Sequence, residues 1–197
     1  PIYADRAVDW LRDRYDARAA GDADAARPFL LVCAFVNPHD IVLWPILNRT
    51  NRLGPSSAPI PPVGPSPTDD EDLASKPAAQ IAFREAYPSG YGPPAGVARI
   101  YRNGAQRYRD LYYRLHAEVD GPLDRVRRAV TEQGSENAVL IRTSDHGEML
   151  GSHGGLHQKW FNLYDEATRV PFQVARIGER QTGPRTVDAE ATHLSCR

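Results

Sequence analysis

Residues 138–159 read A-V-L-I-R-T-S-D-H-G-E-M-L-G-S-H-G-G-L-H-Q-K. An apolar run, Ala138 to Ile141, leads into a loop that carries three His, an Asp, a Glu and a Lys among several Gly. The apolar run has strand length, and the residues after it cannot sustain a strand. A strand that delivers ligand-type side chains at its C-terminal end is the usual layout of an α/β site. Residues 137–144 are therefore expected to form a buried strand with a functional loop behind it.

The rest of the chain supports that layout. Ala4, Val8, Leu11 and Tyr15 recur at helical spacing, which predicts a helix over 3–19 ended by Gly21. Pro28 to Val36 is apolar on both faces and reads as a central strand buried from two sides, stopped by Asn37-Pro38-His39-Asp40. Residues 98–133 have the strongest helical pattern, from Tyr108 and Leu111 through Val126 and Val130. Gly121-Pro122 should either kink that helix or start a new one capped by Asp120, with Gly134 as its end. Val170 to Ala175 reads as a third, shorter strand. Alternating strand, helix and strand predicts an α/β fold with a largely parallel sheet. Residues 44–96 are dense in Pro and Gly and read as a surface excursion with a short helix at 78–86.

Bulk properties narrow the function. Within 197 residues, 24 basic and 25 acidic side chains leave a formal net charge of −1. That balance gives no support to a polyanion-coating or nucleic-acid role. No apolar run reaches the roughly 20 residues that span a bilayer. Two cysteines define no disulfide framework. Cys33 lies in an apolar run and reads as a buried core thiol, and Cys196 has no interpretable context. Asn48-Arg49-Thr50 fits a glycosylation acceptor but also fits chance in a loop. The start lacks Met and the end lacks a cap, so a piece cut at both ends is expected. Compartment and oligomeric state are left open.

Asp145-His146 is the first candidate site. A carboxylate beside an imidazole at a strand end can hold a divalent cation, and Gly147 makes the required turn sterically cheap. The alternative is Asp145 as a cap with His146 in solvent. His146, His153 and His157 do not make the H-E-x-x-H zinc pattern, and Gly154-Gly155 opposes the helix it needs. Lys159 would serve an anionic substrate. His39, at the other strand end, can face the same point. Glu148 has no supporting spacing and reads as solvated or capping. Phosphate-cradling and nucleophile-elbow patterns are both missing.

Thr143 to Gly154, then Lys159, then Tyr164-Asp165-Glu166-Ala167-Thr168-Arg169-Val170-Pro171-Phe172 closely resemble the C-terminal metal-binding motif of the sulfatase family, choline-sulfatase- and arylsulfatase-like members of the alkaline-phosphatase-like superfamily. Phe35 to Asp40 resembles that family's strand-to-His segment, and Tyr112 to Val126 its long helix, with Asp120 at the family's Asp position. The resemblance covers about two-thirds of the chain. It implies that residues 1–197 are the C-terminal half of an α/β/α three-layer catalytic domain that hydrolyses small sulfate monoesters. It further implies Asp145 and His146 as metal ligands, Ca²⁺ favoured and Mn²⁺ or Mg²⁺ tolerated, and His39 and Lys159 as sulfate contacts. His157 is a further substrate contact on this reading, and His39 a proton donor to the leaving group. The alternatives are a phosphonate monoester hydrolase or phosphodiesterase of the same superfamily, and a non-catalytic metal-binding remnant. Family members carry a formylglycine nucleophile made from Cys in C-x-P-S/A-R. Neither Cys33 nor Cys196 stands in that pattern, and the early paired Asp ligands have no counterpart here.

Overall fold

The computed structural model describes residues 2–46, 60–87, 94–132 and 137–177. Asn48-Arg49-Thr50, Gly134 and Cys196 fall outside these residues. Helix α1 spans Ile2–Ala19 and buries Ala4, Ala7 and Leu11, the stripe set by its helical spacing. Gly21, at φ +88°, supplies the left-handed residue that closes it. Helix α2 is Ala78–Ala86, and α3 runs from Pro94 to Glu132. At 1.5 Å per residue the 39 residues of α3 extend about 58 Å. Pro122 lies inside it, and the helix runs on through it without the new start at Asp120. The proline removes one helical donor, a local loss that packing along the rest of the helix outweighs.

Two apolar clusters fasten the chain to α3. Leu11, Ala4 and Ala7 meet Val126, with Leu31, Cys33 and Phe35 against them. Arg125 reaches Asp5 across that contact at 2.8 Å. Farther along, Ile41 and Trp44 pack with Tyr101, Tyr108, Leu111 and Leu115. Gly104 makes this second contact possible, because a Cβ there would lie 2.7 Å from the Trp44 ring. Trp44 and Leu73 are therefore core residues, although the sequence reading placed 44–96 wholly on the surface. Gln106 Nε2 donates to Val63 O at 3.0 Å and ties down the extended segment after residue 60.

The predicted strands are where the observed structure differs most. Val139–Thr143 forms β1 and Phe172–Arg176 forms β2, paired antiparallel with Val139 opposite Arg176 and Thr143 opposite Phe172. Among the described residues this is the whole sheet, so its pairing is antiparallel where a largely parallel sheet was expected. Residues 28–36 are extended but join no ladder. One side, Leu31, Cys33 and Phe35, packs on α1 and α3; the other is open, with Leu30 89% and Val32 77% exposed. β1 and β2 likewise leave Val139, Ile141 and Val174 more than half exposed. These runs have the composition of doubly covered strands, but the chain covers one face at most. Cys33 remains free, and partial burial raises its thiol pKa.

Candidate active site

The chain leaves β1 at Ser144 and turns into the loop. Gly147 is required there by space, since its φ is not positive. Its amide donates to Ala167 O at 2.8 Å, and a Cβ at that position would collide with the Glu166 carbonyl oxygen. The loop is thus pressed against the α4 turn, Asp165–Thr168, which the Tyr164-to-Arg169 stretch supplies.

This packing brings Asp145 and His146 together. Asp145 is exposed, and its Oδ1 accepts from the His146 amide at 3.0 Å. His146 Nδ1 lies 2.9 Å from Gly147 O. A carbonyl only accepts, so Nδ1 carries the proton and Nε2 presents a lone pair. That Nε2 stands 3.6 Å from Asp145 Oδ2. Two ligands of one divalent cation, each about 2.0–2.5 Å from it, stand about this far apart. The backbone hydrogen bond on the far nitrogen is how metal-binding imidazoles are held in orientation. The pair therefore fits a cation as two of its ligands; no group of three or more ligating side chains occurs among the described residues. His39, first residue of a short 3₁₀ turn to Leu43, is exposed with its ring centroid 6.4 Å from that of His146. The Asn37–Pro38 peptide before it is cis.

The other two candidates follow at the C-terminal end of the loop, in different surroundings. Lys159 is half-buried at the far end of the loop and forms no hydrogen bond or ion pair among the described residues. Its charge acts on Glu148 through space. His157 is buried inside the core. Its ring lies 4.1 Å, centroid to centroid, from Tyr101 and meets Tyr108 edge-on at 4.9 Å. Nδ1 donates to Gly155 O at 2.8 Å, and burial lowers its pKa to about 4. His157 is therefore a neutral packing element within the core, where a substrate contact was expected.

Two residues that the sequence reading set aside, Glu148 as solvated or capping and His153 as no zinc ligand, organise the loop. Glu148 is buried, and its Oε1 accepts from Gln158 N at 2.6 Å, Tyr108 Oη at 2.8 Å and Leu150 N at 3.4 Å. Burial raises its pKa, against the pull of those donors. The sequence signal was its setting, an acid between Gly147 and the apolar Met149-Leu150. The second is His153, which stacks on Tyr164 at 3.8 Å and places Nδ1 2.7 Å from Glu71 and Nε2 3.1 Å from Glu166. His153 N and Gly154 N also donate to Thr68, so the Pro-rich excursion is stitched to this loop. Its hydrogen bond to His153 holds the Glu71 carboxyl below the usual range.

An exposed carboxylate–imidazole pair thus stands at the strand end with a second imidazole beside it. The model of the sulfatase family matches residues 2–195, and the chain belongs to that family. It is 32% identical over 198 residues to the uncharacterized sulfatase YidJ of Escherichia coli K12, covering 97% of this chain and 33% of that protein. It is 24% identical to the choline-sulfatase of Rhizobium meliloti, covering 83% and 30%. A solved 2-O GAG sulfatase superposes with a TM-score of 0.64 at 22% identity, over 93% of this chain and 36% of the other. The fold is thus the alkaline-phosphatase-like α/β fold of sulfatases, and the chain spans about a third of the length of the relatives it matches.

Proposed function

We propose that these residues form the metal-and-anion half of a sulfatase active site, and that the protein in its natural length hydrolyses small sulfate monoesters. The observation that carries this is the Asp145–His146 pair, its two donor atoms 3.6 Å apart, with the His39 ring beside it. A divalent cation, Ca²⁺ favoured and Mn²⁺ or Mg²⁺ tolerated, would be held by Asp145 and His146 and complete its shell with ligands outside the described residues. Bound there, it supplies positive charge to the sulfate oxygens.

The remaining chemistry belongs to the side chains. A sulfate ester resists attack because negative oxygens surround its sulfur. Lys159, a fixed positive charge, neutralises part of that shield. His39 donates a proton to the departing alkoxide oxygen, which lowers the cost of breaking the S–O ester bond. The nucleophile, a formylglycine made from the C-x-P-S/A-R motif, comes from outside this chain.

A substrate panel on the natural-length protein tests the reading. Hydrolysis of 4-nitrophenyl sulfate or choline sulfate, abolished by EDTA and restored by Ca²⁺, is expected. The 197 residues alone should turn over nothing. Cleavage of a phosphonate monoester with aryl sulfate left intact would replace the reading with phosphorus chemistry, which the same cation pair and Lys159 would serve equally well.

A further inference from the structure

We propose that Glu148 is the positioning residue that sets Lys159 relative to the Asp145–His146 pair. The inference rests on the sulfatase-site reading above and extends it to a buried side chain.

Glu148 sits two residues after His146, and its carboxylate reaches across the loop to the residue just before Lys159. The Gln158 amide is bonded to Glu148 Oε1 at 2.6 Å. One carboxylate oxygen therefore joins the chain leaving the cation pair to the chain entering Lys159. A hydrogen bond to a backbone amide, deep in the fold, is both strong and directional. The two chain ends cannot drift apart without leaving a buried carboxylate oxygen short of a donor.

The bridge is braced from a third direction. Tyr108, fully buried on α3, donates to the same oxygen at 2.8 Å and accepts from Gln158 Nε2 at 3.1 Å. Gln158 has φ +68°, a left-handed conformation that a non-glycine residue keeps only when its surroundings impose it. Here Glu148 and Tyr108 impose it, and it fixes the direction in which the chain enters Lys159. At the opposite end the loop has no slack, because Gly147 is wedged against the Glu166–Ala167 backbone. The cation pair, the carboxylate and the lysine thus belong to one rigid unit.

A double-mutant cycle in the natural-length protein, read by 4-nitrophenyl sulfate hydrolysis, tests this. Lys159→Ala should lower kcat/KM on the order of 100-fold, the usual loss for one charge-stabilising donor. Glu148→Ala should cost about tenfold or more and raise KM, with Glu148→Gln recovering part of the loss. The combined variant should be no worse than Lys159→Ala alone, because residues acting through one another do not add. Should Glu148→Ala fail to fold, the same cycle is run with Glu148→Gln. Multiplying losses, or a fall in kcat at constant KM that only tracks the active fraction, would overturn the positioning role and leave the sulfatase reading standing. An unchanged kcat/KM in Lys159→Ala would remove Lys159 from the site, and the positioning role with it.

Discussion

The loop at 144–168 and the extended segments that flank the core treat their side chains in opposite ways. In the loop, polar groups are buried and paired: Glu148 with three donors, His153 between two carboxylates, His157 against two tyrosines. In segment 28–36 and strands β1 and β2, apolar side chains lie open to water. Buried polar groups normally cost stability, and exposed apolar groups forgo it. Here the packing is concentrated in the loop, where geometry matters, and the strands keep one face open. Rigidity is therefore expected to be highest in the irregular loop.

The largest test of that contrast is Gly147→Ala. The added methyl would enter the Glu166 carbonyl, and neither backbone can yield without breaking the Gly147–Ala167 hydrogen bond. A destabilisation of about 3 kcal/mol is expected, the upper part of the overpacking range, with sulfate-ester turnover lost alongside. Denaturant unfolding of the natural-length protein measures it. A near-neutral result would mean that the loop is plastic and that the contrast is false.

A smaller effect should follow pH. His157 titrates near 4 in the fold and near 6.5 in an unfolded chain. Between those values the unfolded state holds the extra proton, so stability rises with pH and is lost as pH falls from 6.5 toward 4. About 2 kcal/mol should disappear between pH 7 and pH 5. His157→Phe, which keeps an aromatic ring and cannot titrate, should flatten that part of the curve. Glu148, shifted the other way by burial, contributes equally to both proteins and cancels in the comparison. Parallel curves for the two would show that His157 is not buried neutral.

The same contrast explains what the sequence made legible. Helices α1 and α3 were readable because one face of each meets a partner within the chain, and local periodicity records that. The Asp145–His146 pair was readable because its geometry is local, two adjacent residues at a strand end. Glu148 was not, because its role depends on Tyr108, forty positions away, folding back over it. The burial of His157 was hidden for the same reason: Tyr101 and Tyr108, which close on it, are distant in sequence. The two alternatives at Pro122 could not be separated locally, because the neighbours that carry a helix through a proline are tertiary. Strand order is likewise not a local property. Apolar runs at 28–36 and 139–143 announce strands covered on both sides, and no periodicity states which neighbour supplies the second cover.

Within the 197-residue chain the smallest effect lies on that open face, and it sharpens the comparison from the other side. Replacing Leu30 and Val32 by Lys changes side chains that are already mostly in water, so in the 197-residue chain it should alter helix content little and stability by no more than about 0.5 kcal/mol. Association should change instead. Exposed apolar strands are templates for pairing with a second copy, and lysines on them repel that copy. Sedimentation velocity of the 197-residue chain should therefore show self-association that the double variant shifts toward monomer. In the natural-length protein the same two lysines should be costly, by several kcal/mol, if further strands cover the face. Equal tolerance in both lengths would mean that the face is solvent-exposed in the finished protein, and the apolar composition of 28–36 would then need another cause.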